Sequence, residues 1–141
     1  MIEFDYLEED SRLFGKIFRP VASVQFIDQN EQKLIAYMYI DSGADITLIP
    51  RELGETLGFK IAGEEIIEIG GLGDAKVPVI IKTVTMLLDG KKITCRVAWA
   101  LIEEVPPLLG RTDLFDWFTI TFDQKNRKII FRENDESKGE A

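Results

Sequence analysis

The chain has 141 residues, a formal net charge of −8 and 45% apolar residues. That length supports a single domain with a modest core, and the apolar fraction excludes wholesale disorder. The acidic balance excludes nucleic acid as a partner, and the absence of histidine excludes Ser-His-Asp and Cys-His machinery and His-based zinc sites.

Residues 1–19 mix acids with Phe4, Tyr6, Phe14 and Phe18 in weak periodicity, and read as an N-terminal arm that docks on the body or on a partner. From Pro20 the pattern turns to strand, and 20–132 is read as one domain. Alternation places a strand over Val21 to Asp28, with Val24 and Phe26 inward, and Gln29-Asn30-Glu31 as the turn that follows. Lys33 to Ile40 is a second strand whose nearly continuous apolar end predicts burial on both faces. Asp41-Ser42-Gly43 breaks it, and Ile46 to Ile49 resumes extended structure. Pro50 and Glu52 mark a short helix start that Gly58 stops.

A strand over Glu64 to Ile69 leads into the glycine-dense turn Gly70-Gly71-Leu72-Gly73-Asp74, and Ala75 to Leu88 is a long strand. Asp89-Gly90 signals a hairpin to Lys92–Leu101. Cys95 lies within that alternating stretch and reads as a core or half-buried residue. After Pro106-Pro107 comes Leu108-Leu109-Gly110-Arg111, and Thr112-Asp113 is expected to cap a short helix through Phe118. Thr119 to Phe122 and Lys128 to Phe131 form a final hairpin, and the polar tail 133–141 is expected to be disordered. Met1 to Asp10 is acidic and no apolar run reaches the length of a membrane helix, so the expectation is no leader, no membrane partner and a cytoplasmic location.

Asp41 carries the chemistry. A strand delivers its carboxylate, Ser42 can brace the loop through its hydroxyl, and Gly43 lets the backbone turn and leaves room for a second chain or a substrate. Asp-Ser-Gly is also ordinary turn chemistry between strands, so the tripeptide alone leaves both readings open. Three glycines in four positions at 70–73 cost conformational entropy, which a mobile lid tolerates better than a static hairpin, although a plain glycine-rich turn would read the same.

The three segments together, Asp41-Ser42-Gly43-Ala44-Asp45-Ile46-Thr47-Leu48-Ile49, Ile69-Gly70-Gly71-Leu72-Gly73 and Leu108-Leu109-Gly110-Arg111, in this order, resemble the retropepsins, the retroviral aspartic proteases and their cellular and prokaryotic relatives. The resemblance runs from about Val21 to Phe118. It implies an all-β acid-protease barrel with one or two short helices, one subunit of a homodimer. It also implies an aspartic endopeptidase whose substrate is a peptide or unfolded protein, with no metal and no organic cofactor. Asp41 matches the catalytic aspartate, Ser42 the hydroxyl that bonds across the dimer, and Gly43 the carbonyl that accepts from substrate backbone. Asp45 matches the second acid of the Ala44-Asp45 loop segment, and Arg111 its ion-pair partner. The alternatives are a helix-cap or turn residue for Asp45 and an exposed surface charge for Arg111. Gly70, Gly71, Leu72 and Gly73 match the flap, with Asp74 departing from the commoner small residue, and Leu108, Leu109 and Gly110 match the strand crossing behind the loop.

Peptide hydrolysis of this kind needs two carboxylates sharing one proton. The chain holds one Asp-Ser-Gly, so a twofold-related copy must supply the second Asp41. The strands Thr119–Phe122 and Lys128–Phe131 are candidates for the dimer sheet, and Leu72, Val79, Ile81 and Leu108 for apolar pocket walls. The alternative function is a non-catalytic dimerisation or peptide-binding module on the same fold.

Overall fold

In β4 (Val21–Ile27) every second side chain, Ala22, Val24 and Phe26, is buried, the period-two pattern of a half-covered strand. The structure, a computed structural model, describes residues 1–72 and 75–135. β4 pairs antiparallel with β5 (Lys33–Ile40) from Val21↔Tyr39 to Ile27↔Lys33. Asp28 sets the turn between them, its carboxylate accepting the N–H groups of Asn30 and Gln32, each at 2.8 Å. β5 departs from the expectation of two buried faces: Met38 and Ile40 are buried, but Ile35 and Tyr37 are 57% and 66% exposed. The strand lies in a largely antiparallel sheet with one face covered, where an apolar run does not imply two-sided burial.

β6 (Thr47–Ile49) is wholly buried and leads into α1 (Arg51–Thr56), with Pro50 at its N-cap and Glu52 in its first turn. Gly58 ends the helix as predicted, at a φ of 91° that disfavours other residues. β7 (Ile67–Leu72) pairs with β8 (Ala75–Leu88), which runs through a hairpin to β9 (Lys91–Ala100). The hairpin turn has Asp89 at φ 48° and Gly90 at φ 84°, the two positive angles of a type I′ turn. The short β10 (Leu108–Leu109) precedes α2 (Leu114–Trp117), β11 (Phe118–Asp123) and β12 (Lys128–Glu133).

Seven strands form one sheet in the order β4-β5-β10-β6-β9-β8-β7, closed into a barrel by pairing of β4 with β8. Strands account for 56% of the described residues and helix for 8%, the all-β class read from the sequence. Trp99, Phe26, Phe118, Phe131 and Met38 fill the interior, and Cys95 is buried among them. Burial pushes the Cys95 thiol up to about 11, with the charge of Asp113 adding to it. A smaller cluster of Leu48, Val77, Val79, Ala98, Ala100 and Val105 lies towards β7. None of the helices among the described residues is long and apolar enough to cross a membrane.

Three details depart from the sequence reading. Asp113, at φ 70°, makes no capping bond to α2; its carboxylate takes the backbone N–H, Nε and Nη2 of Arg96 instead. A charge-assisted fork outcompetes a single cap bond. Glu133, placed in the tail, closes β12, and Asn134 is tied to Trp117, Asp116 and Thr119; residues 136–141 lie outside the described set. Finally, β12 has no open edge for a partner. β1 (Ile2–Asp5) covers one side of it and β11 the other, so of the two strands considered for a shared sheet β11 alone keeps an open edge among the described residues.

Candidate active site

β5 ends at Ile40 and the chain turns at Asp41 because β10 is wedged between β5 and β6. Leu108 and Leu109 run parallel to Tyr39 and Ile40, and Leu108 faces Leu48 of β6 in antiparallel register. The Asp41 N–H donates to Leu109 O at 3.0 Å, and the Tyr39 N–H to Pro107 O at 2.9 Å. The crossing strand predicted from Leu108, Leu109 and Gly110 therefore stands directly behind the aspartate. Gly110 is required there: a Cβ would lie 2.4 Å from the Ile46 carbonyl carbon. Its N–H donates to the hydroxyl of Thr47, a polar side chain with no exposed surface.

The loop is braced on both flanks. The Gly43 N–H donates to Asp41 Oδ1 at 2.9 Å, and the Ala44 N–H to Asp41 O at 3.2 Å. This leaves the carboxylate oriented by the backbone two residues ahead, an Asx turn. Behind it, the Arg111 N–H donates to Ala44 O at 2.9 Å and the Thr112 N–H to Asp45 O at 2.8 Å. The Thr112 hydroxyl doubles the second contact. Arg111 and Asp45 form an ion pair, with side chains 53% and 86% exposed. Ser42 is exposed at the tip of the loop.

Asp41 opens onto a cleft of about 400 Å³ walled by Gly43, Ala44, Asp45, Ile46, Leu48, Ile69, Gly70, Val77 and Leu108. Of the predicted flap, Gly70, Gly71 and Leu72 belong to β7, and Gly73, like Asp74, lies outside the described residues. The β7–β8 ladder shifts register between Ile69 and Leu72, so the hairpin bends at its two glycines, where Gly70 borders the cleft. Among the expected pocket residues Leu108 lines the cleft, whereas Val79 is buried beneath it and Ile81 is 40% exposed away from its walls. The sequence reading missed Val77 and Ile69, whose alternation with Val79 on one strand pair was visible but whose facing depends on register.

A second groove, of about 410 Å³, meets Asp41 from the other side, lined by Glu9, Arg19, Pro20, Tyr39, Ile40, Pro106 and Leu108. Here β2 (Leu7–Ser11) and β3 (Gly15–Arg19) form a separate two-stranded hairpin. Its Glu9 accepts a hydrogen bond from the Tyr39 hydroxyl at 2.5 Å and pairs with Arg19 at 2.8 Å. The bond to Glu9, then burial, holds the Tyr39 phenol above its usual range. Nothing in the weakly periodic, acidic sequence of 7–19 signalled this hairpin.

A closed barrel, a braced Asp-Ser-Gly loop behind a crossing strand, and a glycine-bent hairpin over the cleft define a retropepsin-like fold. The EIAV protease, solved in complex with the inhibitor HBY-793, has this fold with a TM-score of 0.51 and 27% identity, over 70% of this chain and 86% of its own. A retropepsin-like aspartic protease from Rickettsia conorii has a TM-score of 0.61 at 18% identity, over 90% of this chain and 99% of its own. Neither a family model nor a curated protein matches the sequence. In fold, the chain is a retropepsin-like protein.

Proposed function

We propose that the chain is one subunit of a homodimeric aspartic endopeptidase in which Asp41 of each copy supplies half of the catalytic pair. The observation that carries the reading is the loop itself: the Asp41 carboxylate, fixed by the Gly43 N–H and the crossing strand, at a largely apolar cleft bordered by a glycine-bent hairpin. A peptide in extended form pairs with such strand edges and places its scissile carbonyl over the carboxylates.

One Asp41 is ionised and the other protonated, because like charges so close cannot both ionise. The ionised carboxylate takes a proton from a water whose oxygen adds to the carbonyl carbon. The protonated one gives its proton to the carbonyl oxygen. The resulting tetrahedral diol then collapses: one hydroxyl gives its proton to the ionised carboxylate, the C–N bond breaks, and the departing nitrogen takes the proton of the other carboxyl, which returns the dyad to its one-proton state. Ser42, Gly43, Ala44, Asp45 and Arg111 hold the loop, and the hairpin that carries Gly70 closes over substrate; neither set exchanges protons with it.

The test is cleavage of an unfolded protein from acid to neutral pH by the wild-type chain and by Asp41→Asn. Cleavage by the wild type with none by the variant supports the reading. Equal cleavage by both, or none by a demonstrated wild-type dimer, defeats it and leaves a peptide-binding module.

A further inference from the structure

The β2–β3 hairpin stands outside the barrel. Among the described residues its strands pair only with each other, and an isolated two-stranded hairpin is marginal in water. Its root is held fast: Glu9 and Arg19 grip Tyr39, Arg127 stacks over the Phe18 ring at 3.5 Å, and the buried Tyr6 donates its N–H to Arg127 O. The outer half makes its polar contacts within itself, through the Lys16–Asp10 ion pair and the turn.

That turn presents an ordered apolar tip. The Ser11 hydroxyl accepts the N–H groups of Leu13 and Phe14 at 3.3 and 3.2 Å, and Gly15 reverses the chain at φ 75°. Leu13 and Phe14 are 79% and 73% exposed, more than any other large apolar residue described except Met1. Polar residues would serve an ordinary solvent turn at lower risk of aggregation. The root also fixes where the tip stands, because Glu9 and Arg19 share one groove with Asp41. Any surface that approaches Asp41 from outside meets this hairpin at its side.

We propose that the hairpin is an intersubunit arm whose Leu13–Phe14 tip packs on a second copy of this chain at the rim of the seam that brings the two Asp41 residues together. This rests on the dimeric reading above. Twofold symmetry makes each arm contact occur twice, so four apolar side chains enter the interface. Two copies at a net charge of −8 each repel one another, and uncharged contacts are what such a pair needs to associate. The root of the hairpin shares a groove with Asp41, so its exposed apolar tip belongs to the part of the molecule that a second Asp41 must approach.

The test compares wild type with the Leu13→Ser/Phe14→Ser double variant by sedimentation equilibrium, with circular dichroism to verify the fold, and measures cleavage against protein concentration. The arm predicts a dimer dissociation constant raised by at least about ten-fold, with activity per subunit depressed in dilute solution and restored at high concentration. A wild-type dimer that cleaves nothing but is loosened by the double variant refutes the endopeptidase and keeps the arm. As a second readout, a photoreactive phenylalanine analogue at position 14 is expected to give covalent dimers on illumination. An unchanged dissociation constant in a folded variant, a wild type that is monomeric throughout, or no covalent dimer overturns the arm.

Discussion

Replacing Gly110 by alanine loads the crossing strand where it touches the active-site loop. The new Cβ would stand 2.4 Å from the carbonyl carbon, 2.5 Å from the oxygen and 2.9 Å from the nitrogen of Ile46, all backbone atoms that no rotamer change can clear. Either β10 or the loop after Asp45 must move. Overpacking of this kind costs about 1–3 kcal/mol. Movement also strains the bond from the Gly110 N–H to the buried Thr47 hydroxyl, and leaving such a group unpaired costs about 1–3 kcal/mol more. A loss of about 4 kcal/mol is expected, a large share of the roughly 5–15 kcal/mol that stabilises a domain. Urea denaturation followed by tryptophan fluorescence should show a midpoint lower by about 2 M. Gly70→Ala is the control, since a Cβ there meets no described atom within 4 Å; it should stay within about 0.5 kcal/mol of wild type. Equal stabilities for the two variants would refute the claim that close backbone approach at Gly110 sets the loop.

Gly54→Ala should destabilise the protein and shift its tryptophan emission, because the added carbon would lie 2.1 Å from the indole nitrogen of the fully buried Trp99. Asp45→Ala breaks an exposed ion pair, so stability should fall by less than about 1 kcal/mol while peptide cleavage drops through loss of loop position. An equal fall in a chemical-denaturation titration and in activity would contradict the division of roles. The Arg96 fork holds the Asp113 carboxyl below its ordinary value of 3.8, so the stability it contributes is present above that pH and lost as pH falls through the lowered value. Asp113→Asn should therefore be less stable than wild type at neutral pH, with the gap closing in strong acid; a gap independent of pH would contradict this. Cys95, buried and with its pKa raised to about 11, should react with a disulfide reagent only as fast as the protein opens, and rapid labelling of folded protein would oppose that.

Local chemistry made much of this molecule legible. Asp89-Gly90, Gly58 and the Pro50-Glu52 helix start each state a backbone geometry, and the chain adopts all three. The Asp41, Gly70 and Leu108 segments carried the family resemblance, and the resemblance implied the barrel. What the sequence withheld was pairing between distant segments. β1 takes the edge of β12, and no residue in Ile2–Asp5 names that partner. Asp113 reads as a cap until Arg96, far away in sequence, reaches it. The β2–β3 hairpin is hidden because three successive acids, Glu8, Glu9 and Asp10, erase the alternation expected of a strand. At the candidate site, Asp41, Gly43, Asp45 and Leu108 line one cleft and Arg111 pairs with Asp45, whereas the placing of Ile69 and Val77 depends on a register that spacing alone does not fix.

Subunit mixing tests the shared dyad most directly. A fixed amount of wild-type chain is equilibrated with increasing Asp41→Asn chain, and peptide cleavage is followed. If each active unit draws one Asp41 from each of two copies, mixed dimers hold a single carboxylate and activity should fall towards zero as the variant comes into excess. Activity that stays at the wild-type level, however much variant is added to a demonstrably mixed population, would contradict a dyad built from two chains.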